Sequence, residues 1–290
     1  MTTGSPSREI LYRLARGPVH GRPGPHRSRA PGPGLDVHGL APLATTADAR
    51  RIDLHASARD PFGHWIVRLP RQRSSATLIV LADLSASMTF GRAPRKQDAL
   101  ADLVDALGHS AWRAGDAIGF VGVDDAVRDQ WTLAPTRSRG ATVELARRLR
   151  AAHLDGRGAG AMNLAAHRFG RRRDALIFVV SDFHWPGPVL DAACSALAAR
   201  DVVPVVLWAR YEFERWPRRG LAELQDLESG ERRTVWFRPA LADAMARAGA
   251  RRRAELRQRF AQHGWRPFFC AGAFDASALN AYFNGEDRED

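Results

Sequence analysis

Asp83, Ser85 and Ser87 stand at alternate positions directly after an apolar run, in TLIVLADLSAS at residues 77–87. One carboxylate and two short hydroxyls on a single loop make half a site for a hard divalent cation. Mg²⁺ takes oxygen ligands in near-octahedral geometry and keeps several waters, which leaves positions for a partner's carboxylate; Mn²⁺ favours the same donors. A second acid, Asp182, follows another apolar run in ALIFVVSD at residues 175–182. If both runs are parallel strands of one sheet, their carboxyl ends form the rim at which open α/β folds bind ligands, and neighbouring strands would bring the two acids together. That joint expectation says more than the D-x-S-x-S spacing, which also serves as a helix cap or an Asx-turn. No nucleophile with a base and an orienting group accompanies the acids, so the pattern points to binding rather than turnover.

The elements that must position these residues are regular. A helix is expected over Lys96–Ala114, where Leu100, Leu103, Val104, Leu107 and Ala111 recur at helical spacing and Gly115 provides the stop. Residues 117–123 read as a second buried strand, 127–133 as an edge strand, 142–152 and 163–169 as helices, 175–180 as a third buried strand, 188–199 as a helix and 202–208 as a fourth strand. Short apolar strands alternating with helices predict a doubly wound, mostly parallel α/β sheet with helices on both faces. This domain spans about 74–210. Ahead of it, residues 1–47 form a basic Pro/Gly/Arg-rich arm with a short helix near 8–16. Residues 48–73 form an N-terminal segment with a turn at Asp60-Pro61-Phe62-Gly63 and a strand over 64–69. Behind it, residues 211–290 read as a hairpin turning at Ser229-Gly230, a long helix over 238–263, a strand and a short helix, packed on the main domain. The arginines at 247, 251, 252, 253, 257 and 259 read as a solvated face of the long helix.

Composition narrows the function class. A chain of 290 residues with 45% apolar content can bury a core. Its apolar runs have strand length, well short of the roughly 20 residues of a membrane span. Two cysteines, Cys194 and Cys270, in no recognisable framework predict a reduced, cytoplasmic protein. The net charge of +11 raises nucleic-acid binding, but +7 of it falls in the first 73 residues, and no basic and aromatic interleaving follows. Lys96 is the single lysine among 43 basic residues, which reads as a compositional bias toward Arg. No nucleic-acid partner and no small-molecule substrate are expected.

Around Asp83-Leu84-Ser85-Ala86-Ser87-Met88 the chain resembles the von Willebrand factor A fold with its metal-ion-dependent adhesion site, and more specifically the bacterial DUF58 family. Arg50-Arg51-Ile52-Asp53-Leu54 with Ala56-Ser57-Ala58-Arg59, Gly115-Asp116 and Ser181-Asp182-Phe183 carry the rest of the likeness, which runs from about Gly34 to the C-terminus. The resemblance implies a protein-binding adaptor that works with a MoxR-type AAA+ ATPase to mature or assemble a client protein. Members without membrane helices, similar to the MxaS type, accompany methanol dehydrogenase maturation, and the lack of a span leans that way. It further implies a Mg²⁺ or Mn²⁺ site built from Asp83, Ser85, Ser87 and Asp182. Such sites add a threonine hydroxyl from a glycine-rich loop; here Met162 occupies that position, a poor ligand for a hard ion. The carbonyl of Asn163 is the first substitute and Thr142 a weaker one.

Other motifs carry less. Gly156-x-Gly158-x-Gly160 completes no nucleotide fingerprint and reads as a flexible turn. His184 and Trp185, beside Asp182, are candidates either for partner contact or for ordinary packing. Arg51, Asp53 and Arg59 are candidates for a partner surface or for local salt bridges. Three functions remain open: a metal-bridged interaction module, a metal-free scaffold using the same rim, and a metal-assisted phosphohydrolase.

Overall fold

The computed structural model describes residues 9–14, 23–31, 37–45, 48–91, 94–169, 175–209, 212, 217–225, 227 and 230–285. They fall into two compact units: Arg13–Ala76, and Met1–Tyr12 together with Thr77–Asp290.

In the first unit, β1 (Pro23–Pro31), β2 (Val37–Pro42) and β3 (Ile66–Ser74) form an antiparallel sheet in the order β1-β3-β2, and a four-residue helix, α1 (Leu54–Ser57), stands between β2 and β3. The arm expected over residues 1–47 therefore contains two strands. Proline is tolerated on an edge strand because only one side of the strand must hydrogen-bond. β1 and β2 are the edges here, flanking β3, which carries a proline of its own, Pro70, opposite Val37; β1 changes register twice along its length. A composition that cannot build a core alone can still add edges to a better strand.

The second unit continues with β4 (Thr77–Asp83), α2 (Lys96–Ala114), β5 (Ala117–Val123), β6 (Val127–Thr136), α3 (Arg139–Ala151), α4 (Met162–Phe169), β7 (Ala175–Ser181), α5 (Gly187–Ala196) and β8 (Asp201–Trp208). A hairpin of β9 (Gly220–Gln225) and β10 (Arg232–Phe237) follows, then α6 (Pro239–Ala261), β11 (Phe268–Ala271) and α7 (Ala276–Asn284). The main sheet has the order β11-β8-β7-β4-β5-β6; every pairing is parallel except that of the edge strand β6. This is the doubly wound α/β sheet expected from the alternation of strands and helices. Every residue of β4, β5 and β7 is buried, as strands covered on both faces must be.

The chain winds from β4 outward through β5 and β6, then returns to the other side of β4 with β7 and continues outward through β8 and β11. The reversal lies between β4 and β7, which pair in register from Thr77 opposite Ala175 to Ala82 opposite Val180. That is a topological switch point, where neighbouring strands send their following loops apart and open a crevice. α2 begins with a box in which Asp98 Oδ2 accepts from the Arg95 amide at 2.9 Å, and ends at Gly115 in the left-handed conformation (φ 72°), the usual glycine stop.

Residues 9–14 adopt no helix, against the expectation for 8–16. Ile10 and Tyr12 are buried while Leu11 between them is exposed, a period of two that belongs to an extended segment. The Ile10 amide donates to Ser110 Oγ at 2.7 Å, the Tyr12 hydroxyl donates to Asp116, and Asn280 of α7 exchanges hydrogen bonds with Glu9 and Leu11.

α2 packs closely on α3 at Gly108, where an added Cβ would lie 2.4 Å from Thr142 Oγ1 and 2.6 Å from Thr142 Cβ. Gly108→Ala should lower unfolding free energy by about 1–3 kcal/mol in denaturant titration. Adding Thr142→Ala should recover only part of the loss, because the Cβ of residue 142 remains in the way.

Candidate functional site

Asp83 closes β4, and the register of the sheet sets it beside the end of β7. Its carboxylate is fully engaged: Oδ1 accepts from the Ser85 amide at 2.9 Å, and Oδ2 accepts from the Ser181 hydroxyl at 2.7 Å and from the Trp185 indole at 2.9 Å. Burial, and next the negative charge of Asp182, push the Asp83 carboxyl up to about 6, although its three hydrogen bonds favour the ionised form. Ser85 Oγ and Ser87 Oγ are 3.1 Å apart. The loop is held from the far side by Gly156, whose carbonyl accepts from the Ala86 amide at 2.8 Å. An added Cβ at Gly156 would lie 2.5 Å from Asp124 Oδ2, so this glycine is a close-approach position rather than a flexible turn.

Asp182 sits one residue beyond β7 and is equally buried. Its Oδ1 accepts from the His184 amide at 3.1 Å; its Oδ2 accepts from Lys96 Nζ at 2.8 Å. Lys96, the first residue of α2, also forms an ion pair with Glu212, whose other oxygen accepts from the Ala209 amide at 2.9 Å. Burial alone would raise the Asp182 carboxyl, but the Lys96 ammonium overcomes it, with His184 adding to the effect, and holds the group below the usual carboxylate range. Burial would likewise depress the Lys96 amine, and Asp182 and Glu212 together keep it above its ordinary value. After Asp182 the chain turns sharply: Phe183 has φ 53°, a strained value for a bulky residue, held where its amide meets Ser181 Oγ at 2.8 Å and its carbonyl accepts from Arg252 at 2.6 Å.

The structure thus brings Asp83, Ser85, Ser87 and Asp182 to one rim. The substitutes for the missing threonine are engaged locally. Met162 is fully buried among Ile79, Leu81, Val121 and Ala165 in the core, Asn163 turns its carbonyl oxygen to the Leu164 amide at 2.7 Å, and Thr142 bonds to the Arg139 carbonyl at the start of α3. Trp185 is buried and donates to Asp83, which settles it as packing and support rather than a partner contact. His184 is exposed, stacked on Trp208 at 6.5 Å between ring centroids. Arg51, Asp53 and Arg59 lie in the Arg13–Ala76 unit. Asp53 caps α1 and accepts from Arg68 at 2.8 Å, Arg51 pairs with Asp48 at 2.9 Å, and the Arg59 side chain is exposed.

The arginines of α6 are not simply a solvated face. Arg252 caps the Phe183 and Trp185 carbonyls, Arg259 reaches Asp191 at 2.8 Å, and Arg253 and Arg257 lie over the Phe269 ring. These contacts tie α6 to the loop after β7, to α5 and to β11. Three residues of the site escaped the sequence reading: Lys96, Ser181 and Glu212. The isolation of Lys96 among 42 arginines was the available signal for the first.

A divalent ion fits this donor set poorly. Two hydroxyls and the heavily bonded Asp83 remain, the third hydroxyl at the rim, that of Ser181, is already spent on Asp83 and the Phe183 amide, and Asp182 is paired with a cation. A dication about 4 Å from an ammonium meets a repulsion on the order of 8 kcal/mol at an effective dielectric of about 20.

A doubly wound sheet with one antiparallel edge, and a D-x-S-x-S loop facing a second acid across its switch point, define an α/β domain with a polar rim at the carboxyl ends of its strands. The chain belongs to the DUF58 family, whose model, described as "Protein of unknown function DUF58", matches residues 45–255. An uncharacterized protein of the moxR 3' region of Paracoccus denitrificans is 39% identical over 102 residues, which cover 35% of this chain and 96% of that one. An uncharacterized protein of Mycobacterium tuberculosis is 28% identical over 239 residues, 80% of this chain and 73% of its own. Among solved structures, BatB from Bacteroides thetaiotaomicron aligns with a TM-score of 0.43 at 15% identity, over 72% of this chain and 96% of that one.

Replacing Lys96 by Met leaves Asp182 and Glu212 without their cation, and should cost about 3–5 kcal/mol of stability at neutral pH. The contribution of Asp182 to the pH dependence should reverse sign. In the wild type the depressed Asp182 contributes stability that is present above the unfolded value near pH 4 and lost as pH falls through the lower folded value. In Lys96→Met the same carboxyl is raised, so the gain in stability on acidification from pH 7 to pH 5, which Asp83 with its carboxyl raised to about 6 already gives the wild type, should become larger. Denaturant midpoints at several pH values check both directions.

Proposed function

We propose that this chain is a non-enzymatic interaction module that works with a MoxR-type AAA+ ATPase, presenting the rim at the carboxyl ends of β4 and β7 to its protein partner. The observation that carries this reading is the state of the rim. Asp83 and Asp182 are both committed to hydrogen bonds within the fold, so neither stands as a free base or nucleophile, whereas Ser87 and His184 remain accessible beside them. The moxR-region relative supports an ATPase of that type as partner. A client protein whose maturation needs the ATPase is the third participant, methanol dehydrogenase in the MxaS-like form of the resemblance.

A hydrolytic role finds little support. The amine nearest the two acids is clamped between carboxylates and is not offered to a phosphate.

Two measurements test the proposal. The purified chain and a MoxR-type AAA+ ATPase from the same genome should associate in biolayer interferometry. Placing charge on the accessible rim, Ser87→Arg with His184→Asp, should weaken binding at least tenfold while leaving the melting temperature within a few degrees. Undiminished binding by the double variant would remove the rim from the interface. Incubation with p-nitrophenyl phosphate and Mg²⁺ or Mn²⁺ should give no turnover, and a rate abolished by Asp83→Ala would instead establish the hydrolase.

A further inference from the structure

We infer that Lys96 is the resident cation of the rim, taking up the Asp182 carboxylate that a von Willebrand A-type site would offer to a divalent metal, so that this site works without metal. The donor atoms of Asp182, His184 and Glu212 all lie within 4.8 Å of one another, close enough to share a single ion. The ion between the two carboxylates is an ammonium: Nζ is bonded to Asp182 at 2.8 Å and paired with Glu212, with the Phe90 ring 5.6 Å away on another side. An ammonium offers three donors from one compact charge, whereas a guanidinium is a planar fork. This compact group is the one lysine of a chain that otherwise uses arginine for its other 42 basic residues.

The surroundings are arranged for such an occupant. The lysine side chain is 1% exposed, so its charge is withdrawn from solvent and from any partner. Glu212, which stands outside the D-x-S-x-S pattern, supplies the second carboxylate and His184 Nε2 lies 3.6 Å from it. Met162 fills core space where a third hydroxyl would have completed a metal site. The ammonium shares its single charge between the two carboxylates without the open coordination positions that a metal would present. A partner at this rim therefore has no metal vacancy to fill and has no need to bring a carboxylate.

The docking role of the rim and the identity of its cation are tested separately, because the following experiment contains no partner. A single lysine makes the site directly visible: protein grown with ¹³Cε-lysine gives one lysine methylene resonance. Mn²⁺ bound at the rim would broaden that resonance beyond detection at stoichiometric amounts. The expected result is a signal of unchanged width in tenfold excess Mn²⁺. Loss of the signal in the wild type but not in Asp83→Ala would overturn the inference. Lys96→Gln supplies a second arm: with the ammonium removed, Mn²⁺ should raise the melting temperature of the variant and leave that of the wild type unmoved. A folded variant as indifferent to Mn²⁺ as the wild type would show that the ammonium does not stand in a metal's place.

Discussion

The in-register pairing of β4 with β7 is the constraint on which the rest of the site depends. Because Ala82 lies opposite Val180, the two strands leave the sheet at the same height, and Asp83 arrives within hydrogen-bonding reach of Ser181, the residue next to Asp182. A shift of one residue would turn each side chain to the opposite face and dissolve the arrangement. The register is secured by the same apolar residues that build the core, since both strands are buried along their whole length. Packing thus fixes the placement of two acids that burial alone would disfavour.

Bringing two carboxylates into a dry environment is costly unless each finds compensation. The two are handled differently. Asp83 is met by neutral donors from a serine, an indole and a backbone amide, which satisfy its lone pairs but leave its charge under-compensated, and its carboxyl is correspondingly raised. Asp182 is met by a full charge and is lowered. The divergence follows from position: α2 starts with Lys96 and delivers its ammonium to the β7 side of the crevice, while the loop after Phe183 folds Trp185 back onto the β4 side. The left-handed Phe183 is the hinge of that return, and Arg252 of α6 braces it.

The main sheet was legible because its strands are continuous apolar runs and its helices carry a stripe at helical spacing; α2 and β5 begin and end as expected. The meeting of Asp83 with Asp182 was legible for a related reason, as both acids end buried strands. What resisted reading depends on where side chains point. Nothing in a period of 3.6 tells that the first residue of α2 folds its amine inward, and Glu212 comes from an irregular stretch with no period. Trp185 looked the same whether it faced a partner or the core. In the N-terminal region, composition signalled the lack of a core, yet β1 and β2 need only one hydrogen-bonded side, which β3 provides. The arginines of α6 misled in the opposite sense, since guanidinium groups can cap carbonyls and lie over rings while their helix still reads as polar.

With its one lysine sealed beside Asp182, the chain offers amine-directed chemistry no exposed side chain. Acylation, methylation or isopeptide attachment at lysine would first require the rim to open, so such modification would report local unfolding rather than surface accessibility. The exposed side-chain cations are guanidinium groups, which do not lose their protons in any ordinary alkaline medium. The surface of this basic protein accordingly keeps its positive charge well above neutral pH, with the strongly alkaline isoelectric point of about 11.1 as the direct result.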